Sequence, residues 1–217
     1  MKKTFFYMIV ALLALSTTST RAQSLWDTSR ADEDFTIGLR LGINFASTDA
    51  NYANSTLTGV HVGVSADYNI IKSFSLSSGL YYVGRGFRGN HANTKATASK
   101  GTTSFLQLPL LASWRIEAPS GVRFMIDLGP YFALGLGGSV EYHPFDQTFL
   151  RNYDLDAFGD KGFFKRFDAG LHIGGSVALG HFVAGISYEH GLTDMIKIND
   201  LEAFHNRNAM MTIGYNF

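Results

Sequence analysis

Eight times along this chain, large apolar residues fall at every second position, and that alternation constrains the fold more than any other feature. The stretch "FTIGLRLGINF" sets the pattern: Phe35, Ile37, Leu39, Leu41, Ile43 and Phe45 share one face, while Thr36, Gly38, Arg40, Gly42 and Asn44 share the other. Period two is the geometry of a β-strand, whose successive side chains point to opposite sides. The pattern returns at residues 60–68, 74–85, 104–116, 122–136, 167–179, 182–190 and 209–217. The connections alternate as well. Residues 69–73, 117–121 and 180–181 are tight turns, whereas 46–58, 86–103, 137–166 and 191–208 are long loops. Short turns at one end and long loops at the other describe an up-and-down antiparallel meander. Closing it into an all-β, eight-stranded antiparallel barrel removes the exposed sheet edges.

A barrel can point its apolar faces inward, as a ligand-carrying soluble barrel does, or outward into lipid. Three features choose the second. The apolar faces carry almost no charge and end in aromatics, among them Phe35, Phe45, Tyr68, Phe74, Tyr82, Trp114, Tyr215 and Phe217, the pattern of interfacial girdles. The opposite faces are built of Gly, Ser, Thr and Ala and are too poor in Lys and Glu to meet bulk water. Several runs match the roughly 9–11 tilted residues that cross a bilayer. Only 17% of residues are charged, against about 25% in soluble domains.

The N-terminus reads as a secretory signal over residues 1–22: Lys2 and Lys3, an apolar run "FFYMIVALLAL", and small residues Thr20 and Ala22 before Gln23. The run is about half the ~20 residues that a spanning helix needs. The expected organisation is that signal, a short periplasmic segment 23–34 and a barrel domain 35–217, placed in the outer membrane of a Gram-negative bacterium. The periplasmic turns are then short and the extracellular loops long. With no cysteine, disulfides, Cys-ligated metals, thiol catalysis and a lipid-anchored N-terminus are excluded. A net charge of zero gives no footing for nucleic acid.

With the apolar faces turned to lipid, the polar faces bring Arg40, Asp67, Arg85, Arg115, Arg123, Asp127, Asp168 and Glu189 into the lumen, beside His61, His172, Gln107, Tyr81 and Asn216. An eight-stranded barrel has room for packed side chains and not for an open channel. The expectation is a balanced ionic network of four arginines and four carboxylates, because an unpaired buried charge is costly. Arg40 is expected to meet a carboxylate from another strand. Pro109, mid-strand and without an N–H, points to a bulge or a break in the ladder.

Five segments resemble, in order, the outer-membrane β-barrel family typified by PorT and common in Bacteroidota: "FLQLPLLASWRI", "DLGPYFALGLGG", "FKRFDAGLHIGGSV", "ISYEHGLTDM" and "NRNAMMTIGYNF". The resemblance spans nearly the whole mature chain and implies an eight-stranded outer-membrane barrel. The typifying member is associated with protein secretion and maturation, and the family carries no catalytic set that maps onto these residues. The terminal Phe217, with Tyr215 two residues before it, resembles the end signal read by the barrel-assembly machinery. The commoner form of that signal has Gly where Thr212 stands, and Gly214 comes later.

Motifs that would carry chemistry are sparse. Ser187, Glu189 and His190 lie on one strand, but alternation puts His190 on the opposite face. Neither G-x-S-x-G nor H-E-x-x-H occurs. "DLDAFGDKG" places Asp154, Asp156 and Gly159 at calcium-loop positions, yet Phe158 and Lys165 stand where oxygen ligands are needed. Arg88, Lys95 and Lys100 could pair with lipopolysaccharide phosphates. The aromatics Tyr142, Phe145, Phe149, Tyr153 and Phe158 mark either a partner-facing loop or a lid on the barrel. The expected function is a non-enzymatic structural, partner-binding or secretion-accessory barrel without cofactors or metal. Its expected partners are outer-membrane lipid, lipopolysaccharide, the barrel-assembly machinery and a secretion or envelope complex. A lipid-modifying enzyme and a narrow pore are the alternatives.

Overall fold

The computed structural model describes residues 26–48, 55–88, 96–144, 153–158, 162, 164–197 and 205–217. At the far ends of the strands that flank the longest loops, only the backbone is described. The expected signal segment lies outside the described residues.

Among the described residues nine strands form: β1 Phe35–Thr48, β2 Ser55–Ile71, β3 Phe74–Arg88, β4 Ala96–Glu117, β5 Val122–Pro144, β6 Tyr153–Asp156, β7 Phe167–Leu179, β8 Phe182–Gly191 and β9 Asn206–Asn216. Eight of them pair antiparallel around a closed ring, β1-β2-β3-β4-β5-β7-β8-β9, which β9 completes by pairing back to β1. The remaining strand, β6, hangs on the upper part of β5. The alternation locates each barrel strand. It does not locate the loop-side ends, where β4 and β5 reach 22 and 23 residues. Both extend well into stretches expected to be loop.

The apolar faces turn outward. Phe35 is 67% exposed and Ile186 66%, and the other large apolar residues of the alternating runs share their side of the wall. The buried set is dominated by polar residues of opposite parity, including His61, Asp67, Arg85, Gln107, Arg115, Asp168 and Glu189. A water-soluble domain has the reverse arrangement; a barrel immersed in lipid has this one.

Pro109 interrupts the ladder without a bulge. Ser78 faces Leu110 and Tyr81 faces Gln107 in one register, so no residue is inserted on the β3 side. On the β5 side Pro109 faces Tyr131 and Ala112 faces Leu128, again in one register. Pairings are missing between these points, where Pro109 and Pro130 have no N–H to give. Ser78 Oγ donates to the Pro109 carbonyl at 2.8 Å. Two irregularities of this pairing lie higher, one between Ala98 and Lys100 and one between Ser104 and Phe105, where β5 carries the extra residue Leu136. Above it the inward phase of β5 switches, so that Val140 is buried although Leu136 faces out.

At the short-turn end the segment before β1 folds back on the β2–β3 turn. Asp27 N donates to Ser73 Oγ at 2.6 Å, Lys72 N to Ser29 O at 3.0 Å and Asn69 N to Asp34 O at 2.8 Å. Trp26 lies against Phe74, with ring centroids 6.4 Å apart. The β7–β8 turn is only two residues, and Gly180 takes its left-handed position at φ 57°.

Candidate functional site

The inward faces of β3, β4, β5, β7, β8 and β9 converge on one guanidinium near the long-loop end. Arg85 Nη1 donates to Asp168 Oδ2 at 2.7 Å, and Nη2 donates to Glu189 Oε2 at 2.9 Å and to Gln107 Oε1 at 2.5 Å. Gln107 passes the connection on, its Nε2 donating to Glu189 Oε1 at 2.5 Å. His172 Nδ1 lies 3.1 Å from the same oxygen. A carboxylate only accepts, so that nitrogen carries the proton. Asp168 Oδ2 also takes Tyr131 Oη–H at 3.2 Å and Asn206 Nδ2–H at 2.9 Å. The Arg85 guanidinium is also held against two rings, 5.1 Å from the centroid of Phe105 and 5.2 Å from that of Tyr131. Both carboxylates are fully buried. Excluding water this completely strengthens each of these charge-assisted bonds and makes any unmatched charge expensive.

Above this cluster sits an apolar cap. Phe158 is 2% exposed and meets Phe105 edge to face at 5.5 Å. It packs with Val140, Phe164, Met195 and Ile196. Asp156 Oδ1 accepts from Phe158 N at 3.1 Å and sets the approach of the segment. The ring lies directly over Gly135, where a Cβ would come within 2.6 Å of it. Phe158, expected on either a partner-facing loop or a lid, is buried at the outer end of the barrel. The side chains of Tyr142 and Tyr153, and all of Phe145 and Phe149, lie outside the described residues.

Towards the short turns a second, smaller cluster forms. Arg115 Nη2 meets Asp67 Oδ2 at 3.0 Å, and its Nη1 donates to Asn69 Oδ1 at 2.5 Å. Asp127 accepts from the Ser113 hydroxyl. The expected single network of four arginines and four carboxylates is thus not what the interior holds. Arg123 stands at the rim with Glu117, 3.5 Å away and half in solvent, because its strand position is next to the turn. Arg40 donates to Asn216 Oδ1 at 2.7 Å rather than to a carboxylate. None of the four carboxylates expected to receive it is within ion-pairing distance.

Between the two clusters lies a chamber of about 130 Å³. Polar groups from every side line it, including His61, whose Nε2 lies 2.9 Å from Thr212 Oγ1. Ser187 and Glu189 are on its wall, whereas His190 is not. Glu189 is already held by four donors, so these three residues do not assemble into a nucleophile and base. Among the described residues no three His, Asp or Glu side chains are grouped as metal ligands. Tyr215 and Phe217 face outward at the short-turn end, ring centroids 5.4 Å apart, with Phe182 edge-on to Tyr215.

Parity alone would have placed two residues of the upper cluster that charge-counting passed over. Tyr131 shares the face of Asp127 on β5, and Phe105 shares that of Gln107 on β4. Neither side chain carries a charge, which hides both.

A family model described as an outer membrane protein beta-barrel domain matches residues 21–197. The fold is similar to that of Neisserial surface protein A, with 13% identity, 85% of this chain and 100% of that one covered, and a TM-score of 0.47. It is similar to Ail, the attachment invasion locus protein of Yersinia pestis, solved with the heparin analogue sucrose octasulfate, at 14% identity, 85% and 100% coverage and a TM-score of 0.45. The outer membrane protein OprG of Pseudomonas aeruginosa aligns at 11% identity, 88% and 99% coverage and a TM-score of 0.42. No functionally curated protein matches the chain.

Proposed function

The chain belongs to the outer membrane protein β-barrel domain family, and on that premise we propose that it is a non-conducting, non-enzymatic barrel that presents a strand-built projection to an envelope partner. One observation carries the closed interior: Arg85 is locked by Asp168, Glu189 and Gln107 directly beneath the Phe158 cap. Salt bridge, hydrogen bonds and ring packing all occupy the cross-section through which a solute would pass.

The projection is supported by strand length. Crossing the bilayer takes about 9–11 residues, and β4 and β5 have 22 and 23. At about 3.3 Å per residue, the surplus carries the paired far ends of β4 and β5, with β6, some tens of ångströms beyond the membrane. Such a rigid ledge is suited to docking, and the aromatic residues expected there supply contact area. Lipopolysaccharide and a secretion or envelope complex are the partners this reading favours. Export through the signal at residues 1–22 and assembly through Tyr215 and Phe217 belong to it too.

Photo-cross-linking in the native outer membrane tests the docking role. The full chain is expected to yield a discrete cross-linked partner, which is lost when residues 143–152 are replaced by a short Gly-Ser linker. A discrete partner that persists after the replacement, or none with the full chain, contradicts the reading.

A further inference from the structure

The charged groups of the interior divide into those with a partner and those without. Arg85 is matched by Asp168 and Glu189, Arg115 by Asp67, and Arg123 by Glu117. Arg40 and Asp127 remain, and among the described residues neither has an oppositely charged side chain within 4.0 Å. Arg40 uses its Nη groups on Asn216 Oδ1 and on the Leu39 and Tyr215 carbonyls at 3.1 and 3.5 Å. Asp127 has the Ser113 hydroxyl. Both line the same chamber. In the eight-strand ring β1 and β5 stand four strands apart in either direction, so the cation and the carboxylate project from opposite walls.

An unmatched charge facing a low-dielectric space is poorly solvated, and a ligand that carries its complement gains what the wall lacks. Here both signs are offered across one gap. The chamber of about 130 Å³ is close in size to an engineered cavity of roughly 150 Å³ that takes a six-carbon ring. That limits an occupant to about five to seven non-hydrogen atoms. Apolar side chains such as Met125, Val183 and Met210 share the wall with the polar ones, and His61, 3% exposed, has an Nδ1 with no protein partner. We infer that the chamber is a binding site for a small zwitterion, an α-amino acid of the size of glycine, alanine or serine. Its carboxylate sits on the Arg40 guanidinium and its ammonium group on Asp127. Arg40 is only half-buried at the short-turn end, so the ligand enters there. Neither group belongs to the Arg85 cluster, so the site does not depend on whether the outer end is sealed or a partner docks.

Equilibrium dialysis of radiolabelled glycine against the full-length barrel in detergent micelles tests the site. Saturable binding of one glycine per chain is expected. Unlabelled alanine should compete, while acetate, glycine methyl ester and glycerol, which carry one charge or none, should compete at least about tenfold more weakly. Arg40→Gln and Asp127→Asn should each weaken binding by about tenfold or more, with the β-sheet circular dichroism unchanged. If either variant fails to fold, the competition series on the native chain decides. No saturable binding at about 10 mM glycine, equal competition by glycerol, or binding that survives both substitutions overturns the proposal.

Discussion

Removing Arg85 would leave Asp168 and Glu189 in a dry interior without a cation, which is why this side chain is the most sensitive in the barrel. Breaking a buried pair in this way costs about 3–5 kcal/mol. Arg85→Ala is therefore expected to lower stability by about that amount, read as a shift in the urea midpoint of the barrel in lipid vesicles. Arg123→Ala removes a half-exposed rim pair with Glu117, and its expected effect is within about 1 kcal/mol. Equal losses for the two would contradict the assigned positions. Phe158→Ala should cost about 3–5 kcal/mol, and Gly135→Val should match it, because the new side chain enters the space of the Phe158 ring. If Gly135→Val is neutral by the same titration, the cap does not sit there. At this scale the sequence was informative about which charges face inward, since strand parity is a hard rule. It was silent about which charge meets which. Pairing depends on the stagger between strands, and alternation contains no stagger. That is why parity points Arg40 to a carboxylate, whereas the stagger brings it to Asn216.

Strands whose ladders leave the bilayer lose the signal that reveals them. Inside the membrane one face must be apolar, so period two is written into β1 to β5 and β7 to β9. The stretch "ATASKGTT" at the start of β4 has no such face, yet its backbone pairs with the end of β5. Backbone hydrogen bonds do not require a particular side chain. The four residues of β6 are too few to show any period. At the other end, the segment before β1 makes its own prediction. Asp27, outside the strands, has its carboxyl held below the ordinary value of 3.8 by hydrogen bonds from Ser29, the side chain first and the backbone N–H second. A lowered folded-state pKa means that the contribution is fully present above 3.8 and is lost only as the pH falls through the lower value. The chain has two tryptophans, so a Trp114→Phe background isolates Trp26. Its emission should hold steady down to that ordinary value, change below it, and lose this transition in Asp27→Asn. A transition at a higher pH would show that another group controls the segment.

The whole molecule inverts the usual arrangement of a folded domain. Its outer wall is apolar, its middle is polar, and a small apolar cluster around Phe158 sits at the long-loop end. Composition and alternation were enough to read the inverted wall and the ring of eight strands. The interior's division into an upper lock, a chamber and a lower pair was not legible, because it arises from the simultaneous placement of residues far apart in the chain, 104 positions for Arg85 and Glu189 and 176 for Arg40 and Asn216. The central functional claim is that this division stops flow. Planar-bilayer recording of the purified barrel tests it most directly. No conductance steps are expected for the native chain, and discrete steps are expected once Arg85 and Phe158 are both replaced by Ala. Discrete steps from the native chain at the same voltage would contradict it.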